Sequence, residues 1–175
     1  VQLFSSANRP FYQSTQMMTV TEIDEEKYAQ FAQTHLEKHG QTFSDDAFHL
    51  LYSLVHGHTW YVQSLLNRLY QDGTPIITPD NVKQVLHIIL LENESAYQVY
   101  CQLITRRQLN VLRAIAAEDG VKEVTNTQFL QKYQLGSAST VRSAVLALTD
   151  KELLLEDNGN YCVYDRFFSH WLANY

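Results

Sequence analysis

The chain has 175 residues, of which 45% are hydrophobic, with a formal net charge of -6 and a pI near 5.6. This length and composition suit one medium or two small globular domains and are not those of a disordered chain. The acidic balance argues against a protein whose main task is to coat nucleic acid, because that task requires an excess of Lys and Arg.

The first twenty residues predict a connecting arm, because polar turn formers and the pair Arg9-Pro10 interrupt any helical period. The chain begins at Val1 within this polar stretch, and we expect it to be a piece of a longer protein.

Residues 21–104 predict a bundle of about four helices joined by short loops, because apolar residues recur there at helical spacing. The expected helices cover 22–38, 44–57, 59–70 and 80–104, with a bend considered at 92–95. In the first helix we expect Ile23 and Phe31 among the inward-facing side chains. Thr78 and Pro79 mark the start of the last helix, because proline is tolerated in a first helical turn.

Residues 105–175 carry their signals in the order that is typical of a winged helix-turn-helix. A first helix is expected to end near Asp119, and a short second helix follows a cap at Thr125 or Asn126. A third helix, in the position of a recognition helix, follows a cap at Ser137 or Ser139. Its expected inner residues are Val141, Ala144, Val145 and Leu148.

Two short apolar runs around Asn158-Gly159 then predict a β-hairpin, which forms the wing. The sequence therefore predicts a mainly α fold, with a helical bundle followed by a winged helix-turn-helix domain that has a small β-hairpin wing. Its expected divisions are an arm at 1–20, a helical domain at 21–104 and a winged-helix domain at 105–175.

The recognition helix has a DNA interpretation and a packing interpretation. The side chains that could reach DNA phosphates or bases are Ser137, Ser139, Thr140, Arg142 and Ser143. Among these, Arg142 alone could make a bidentate contact with guanine. Residues 105–175 hold eight basic and eight acidic residues, and Glu156 and Asp157 in the wing would repel phosphates. We expect packing or protein contact first and DNA contact second.

The sequence gives no sign of catalytic or metal chemistry. It lacks a GxxxxGK[ST] phosphate-binding loop and a G-x-S-x-G nucleophile motif. The pairs His35 with His39 and His56 with His58 lack the additional ligands that zinc needs, so we expect no metal. Two distant cysteines favour free thiols in a reducing, cytoplasmic compartment, and no apolar run is long enough to span a membrane.

Four stretches together carry a family resemblance: the arm ANRPFYQS, the segment LLYSLVHGHTWYVQSLLNRLY, the stretch QLNVLRAIAAEDGVKEVTNTQFLQKYQLGSASTVRSAVLALTDKELL, and YCVYDRFFSHWL with its Y-x-V-x-D-x-x-F-x-x-W ending. The ending consists of Tyr161, Val163, Asp165, Phe168 and Trp171. Together they resemble the C-terminal portion of the archaeal-type ATPases, AAA-like P-loop NTPases related to STAND and Cdc6/Orc proteins. The resemblance covers essentially the whole chain. It implies a helical lid and a winged helix, with the nucleotide-binding core lying before Val1.

In that family the lid carries a G-x-P turn against the nucleotide, and Gly57, His58 and Thr59 match it, with Thr59 in the place of proline. Arg9 is the candidate for an arginine that follows the core. The resemblance implies that the intact protein binds and hydrolyses ATP with Mg, whereas this chain is not an enzyme and holds no cofactor by itself. The implied partner is the ATPase core, and a second protein or DNA is also considered.

Overall fold

A computed structural model describes residues 22–44 and 46–174, and this part of the chain is mainly helical with two small sheets. The helices are α1 (Glu25–Glu37), α2 (Ala47–Leu54), α3 (Thr59–Asp72), α4 (Pro79–Gln102), α5 (Arg106–Ala117), α6 (Thr127–Lys132), α7 (Ala138–Asp150) and α8 (Arg166–Asn174). The strands are β1 (Thr42–Phe43), β2 (Ile76–Ile77), β3 (Leu154–Asp157) and β4 (Asn160–Val163). The predicted fold class is confirmed. The predicted arm, including Arg9, lies outside the described residues.

The helical body consists of α1, α2, α3 and the first half of α4. Its core includes Leu51, Leu65 and Val82, which are fully buried. Strands β1 and β2, which the sequence analysis missed, pair in parallel and tie the loop after α1 to the loop after α3. At two residues each they are too short to show the alternation by which strands are predicted.

Two expected inward-facing residues of α1 are exposed, and that part of the prediction is wrong. The buried stripe of α1 is Tyr28, Ala32 and Leu36, at intervals of four residues. Phe31 is 58% exposed because it lies one residue, about 100° of helical rotation, away from this stripe. Ile23 is exposed because it precedes the helix, which begins after the N-cap Asp24.

Helix α4 is continuous through residues 92–95, where a bend was considered, and it connects the helical body with the winged body formed by the elements from α5 to α8. Its first half buries residues up to Leu90 in the helical body, whereas none of residues 91–96 is buried. Tyr97 is buried again, and its ring stacks on Phe168 at 5.0 Å and lies 5.6 Å from Trp171 of α8. The C-terminal end of α4 therefore packs with the winged body. The division at 104/105 stays a prediction.

The winged body contains α5, α6, α7, the β3–β4 hairpin and α8. The caps of α6 and α7 are Asn126 and Ser137, which lie within the predicted alternatives. The four residues predicted to face inward on α7 are all buried, as expected. Asn158 and Gly159 have φ of 50° and 77°, the left-handed values that a two-residue hairpin turn requires.

Helix α8 packs against both bodies and completes one continuous hydrophobic core. Phe168 is 1% exposed and contacts Tyr97 and Tyr100 of α4. Phe167 contacts Tyr61 of α3, with the ring centroids 4.9 Å apart at a near-perpendicular angle. The position of the winged body is therefore fixed largely by aromatic packing on this short helix.

Phe168→Ala tests the importance of this packing. We expect it to lower the free energy of unfolding by about 3–5 kcal/mol, because it removes a fully buried aromatic ring. Phe31→Ala is the matched control, and its exposed ring should change stability by no more than about 0.5 kcal/mol. Urea unfolding followed by circular dichroism measures both. Equal losses of unfolding free energy in Phe168→Ala and Phe31→Ala would show that the packing of α8 is not central to the fold.

Candidate interdomain turn and recognition-helix surface

The turn from α2 to α3 is shaped by a Schellman motif. His56 N–H donates to Ser53 O at 3.1 Å, and Gly57 N–H donates to Tyr52 O at 2.9 Å. Gly57 is buried with φ of 68°, and a Cβ at this position would lie 2.4 Å from Cζ and Oη of Tyr52. Glycine is therefore favoured at this predicted nucleotide-facing position, because another residue would take a strained backbone conformation and displace the Tyr52 ring.

The other two residues predicted for this site lie beside Gly57, at the start of α3. His58 is the N-cap residue, its side chain makes no capping hydrogen bond, and its ring lies 5.0 Å from that of Tyr61. Thr59 is the first residue of α3. We call Gly57, His58 and Thr59 the 57–59 turn. Because no side chain caps α3, its first-turn N–H groups are suited to a polar ligand.

On one side, the 57–59 turn is attached to the winged body through His56. His56 Nε2 donates to Asp119 Oδ2 at 2.6 Å, and Arg166 Nη1 lies 3.8 Å from Asp119 Oδ1. Burial raises the pKa of the Asp119 carboxyl, but the hydrogen bond from His56 and the nearby charges of His56, Arg166 and His170 outweigh it and lower the pKa. This contact joins residues that are 63 positions apart in sequence.

On the other side, α3 is attached through Tyr61. Its ring packs on Phe167, and burial, followed by the charge of Asp165, raises the pKa of the Tyr61 hydroxyl to about 12. Asp165 also accepts a hydrogen bond from Phe168 N–H at 2.9 Å. A third contact joins His170 Nε2 of α8 to Leu54 O of α2 at 2.7 Å.

The sequence analysis did not predict the contact between His56 and Asp119. Each residue directly precedes a glycine, which in the sequence is a sign of a helix end. In the structure both His56 and Asp119 adopt positive φ, at 51° and 52°. Such a signal indicates a helix end, but it cannot show which helix end a residue will contact. Their pairing depends on how the two bodies pack.

The five predicted DNA-contacting residues do not form one surface. Ser139, Thr140 and Ser143 line a groove of about 320 Å³ together with Arg107 and Gln108 at the start of α5. Arg142 lines a different groove, of about 500 Å³, which also contains Lys122, Leu146 and Tyr161. Arg107 is thus a basic residue close to these hydroxyl groups, and the sequence analysis did not identify it as a candidate for DNA contact.

The hydroxyl groups of the recognition helix already have local hydrogen-bond partners. Ser137 Oγ accepts a hydrogen bond from Thr140 N–H at 3.3 Å, as the N-cap of α7. Ser143 Oγ donates to Ser139 O, one turn earlier, at 3.0 Å. These groups are less available to DNA than the sequence suggests.

The solvent-facing side of α7 also exposes an apolar side chain. Leu146 is 61% exposed and shares a groove with Arg142. The wing adds the exposed acids Glu156 and Asp157. An exposed leucine favours contact with an apolar surface, and the acids oppose contact with phosphate.

Comparison with known families gives a match for the C-terminal part of the chain. A family model described as "Probable winged helix domain" matches residues 95–174. This part of the chain is a winged helix domain. The match begins within α4, two residues before Tyr97 joins the winged core. No curated protein matches the chain. The ATPase resemblance therefore stays a prediction.

In residues 22–44 and 46–174, no helix is both long and apolar enough to cross a membrane. Within the same ranges, no group of three or more His, Cys, Asp or Glu residues could hold a metal ion.

Gly57→Ala tests the shape of the 57–59 turn. We expect a loss of about 2–4 kcal/mol in the free energy of unfolding, because the change adds left-handed strain and a clash with Tyr52. Gly40→Ala is the matched control. Gly40 has φ of 76° but no atom within 4 Å of its added Cβ, so it reports the backbone strain alone. In urea unfolding, Gly57→Ala should lose clearly more free energy of unfolding than Gly40→Ala. Equal losses of free energy in the two variants would contradict the predicted clash with Tyr52.

Asp119→Asn tests the contact with His56 through its pH dependence. Because the folded-state pKa of Asp119 is lowered, its stabilisation is present above the ordinary value of 3.8 and is lost as pH falls through the folded-state value. The wild-type advantage over Asp119→Asn should therefore vanish below that pH, and salt should reduce it because the carboxylate is partly exposed. Unfolding midpoints between about pH 2 and 6 measure this.

Asp119 and Asp119→Asn are then compared in a protein that also carries His56→Ala. This comparison shows whether the pH-dependent stabilisation by Asp119 comes from its contact with His56. The pH-dependent difference should shrink when His56 is absent, because the side-chain hydrogen bond and the nearby charge that lower the Asp119 pKa are then lost. An unchanged difference would mean that Arg166 and His170 hold the carboxylate without help from His56.

Proposed function

We propose that this chain is the helical lid and winged-helix part of a P-loop ATPase. In this proposal the 57–59 turn contacts the nucleotide, and the winged body responds through the attached residues. The observation that carries it is the attachment of this turn on both sides, by His56 to Asp119 and by Tyr61 to Phe167. The resemblance of the segment around Gly57 to the lid of archaeal-type ATPases supplies the nucleotide role.

The proposed coupling has a simple physical basis. A nucleotide changes the conformation of a protein only if it binds two conformations with different affinity. A displacement of the 57–59 turn would strain the hydrogen bond to Asp119 and the ring contact with Phe167, both of which lie in the winged body. The winged body would then have to move with the turn or lose these contacts.

Protein contact is the favoured use of the winged body. The hydroxyl groups of α7 are bonded locally, Leu146 is exposed, and the wing is acidic. DNA binding is the second candidate, and it is favoured by one observation: Arg107 and Gln108 lie in one groove with Ser139, Thr140 and Ser143.

The ATPase proposal is tested in the intact protein. The sequence before Val1 should contain a GxxxxGK[ST] loop, and its absence would end the proposal. If the loop is present, Mg·ATP should change hydrogen exchange in the β3–β4 wing. Asp119→Asn should reduce that change, because it weakens the hydrogen bond from His56 that joins the turn to the winged body. An ATP effect on the wing that survives both Asp119→Asn and Phe167→Ala would exclude this route of coupling.

A duplex titration decides the DNA alternative. With a 20-base-pair duplex at about 50 mM and 200 mM salt, we expect no saturable binding to this chain. Binding that weakens steeply with salt would instead favour DNA. Arg107→Ala and Arg142→Ala would then show which groove is used, since each removes one cation from a different groove.

A further inference from the structure

A second surface, away from the recognition helix, exposes several large apolar side chains. A cleft of about 500 Å³ lies between the end of α4 and the base of the wing. We call it the α4–wing cleft. It is lined by Tyr100, Leu103, Ile104, Lys151, Glu152, Leu153, Tyr164, Asp165 and Phe168. Leu103 is 66% exposed and Tyr164 is 62% exposed, although both belong to a largely apolar cleft.

The base of this cleft belongs to the winged core. Phe168 is fully buried and contacts Tyr100, with the ring centroids 5.7 Å apart. Leu153 is hydrogen-bonded to both neighbouring elements: its N–H donates to Leu148 O at 3.0 Å, and its carbonyl accepts from Tyr164 N–H at 3.1 Å. The base of the cleft is therefore held by the core, and the lining includes Tyr100 and Tyr164, a residue type that is enriched at the hot spots of protein interfaces.

The apolar surface continues onto the wing. Leu153 immediately precedes β3, and the hydrogen bond from Tyr164 N–H to its carbonyl extends the hairpin pairing to it. Leu155 comes two residues later, so the two side chains lie on the same face of the hairpin. Leu155 pairs with Cys162, which is two residues before Tyr164. On this face Leu155 and Tyr164 are exposed, whereas Cys162, the partner of Leu155, is buried; Tyr164 itself lines the cleft. A patch of this kind on a soluble domain indicates a contact surface.

The charges around the cleft are mainly negative. Glu152 and Asp165 line it, and Asp157 lies on the same face of β3 as Leu155, whereas Lys151 is the single basic residue in the lining. Helix α4 ends here without a basic residue in its own last turn, and Arg113 of α5 is the cation whose charge acts on Cys101 in that turn. A binding partner with positive charge would complement this rim.

We propose that the α4–wing cleft binds an amphipathic segment of another protein, with a bulky apolar side chain in the cleft and Lys or Arg residues facing the acidic rim. A second copy of this chain fits less well, because the same acids would face one another across the contact. The inference extends the protein-contact part of the proposed function and does not depend on nucleotide coupling.

The first test uses three defined peptides and the methyl NMR signals of the leucines. An 18-residue peptide of Leu and Lys, with Leu on one helical face, should shift Leu103, Leu153 and Leu155. It should bind at least about tenfold more tightly than the same peptide with Glu in place of Lys at 50 mM salt, and the difference should narrow at 500 mM. A scrambled Leu–Lys peptide should bind more weakly than the amphipathic one.

Exposed-residue variants then assign the binding to the cleft. Leu103→Asp and Tyr164→Ala should weaken binding of the Leu–Lys peptide at least about tenfold, because both remove apolar contact area. Leu146→Asp is the matched control, since Leu146 is equally exposed but lies on the recognition helix. Unfolding midpoints confirm that each variant remains folded. Glu152→Lys should reduce the preference for Lys over Glu without removing the apolar contact.

Three outcomes would overturn the inference. The first is an absence of shifts at millimolar peptide, and the second is equal affinity for the Lys and Glu peptides. The third is that the NMR signals of Leu103 and Leu155 shift with protein concentration in the absence of peptide, while sedimentation shows dimers. That result would mean that a second copy of the chain binds the cleft. These readouts do not depend on any effect of nucleotide on the wing. A failure of the ATPase proposal can therefore be distinguished from a failure of the cleft proposal.

Discussion

The packing of α8 against α4 is the interaction on which the rest of the described structure depends. Phe168 and Trp171 contact Tyr97 of α4, and Phe167 contacts Tyr61 of α3. Aromatic rings of this size contribute large buried areas, so a helix of nine residues can fix the winged body on the helical body. Without this packing, the polar contacts beside it would be separate surface interactions of small value.

The 57–59 turn and the recognition helix differ in how they are held. The turn lies where α2, α3, α5 and α8 meet, and its neighbours contact the winged body through a hydrogen bond and a ring pair. The recognition helix presents its predicted residues to two separate grooves. The turn therefore lies at the contact between the helical body and the winged body, whereas the predicted residues of the recognition helix lie at the surface of the winged body.

The sequence predicted those features that depend on local chemistry. The cap at Ser137, the inner face of α7 and the Asn158-Gly159 turn all follow from preferences that act within a few residues. The contact between His56 and Asp119 could not be predicted in this way, because neither residue has a local reason to choose the other. The same limit applied to Phe31, whose exposure depends on which face of α1 meets the other helices.

The unburied middle of α4 has a consequence for how this protein can vary. None of residues 91–96 is buried, so most substitutions there should be tolerated, apart from those that remove the ion pair of Glu92 with Arg68. A change in length is different, because inserting one residue in a continuous helix rotates everything after it by about 100° and advances it by about 1.5 Å. Tyr97 would then turn away from Phe168. This exposed segment should therefore tolerate substitutions but not insertions or deletions, because its length sets the angle between the helical body and the winged body.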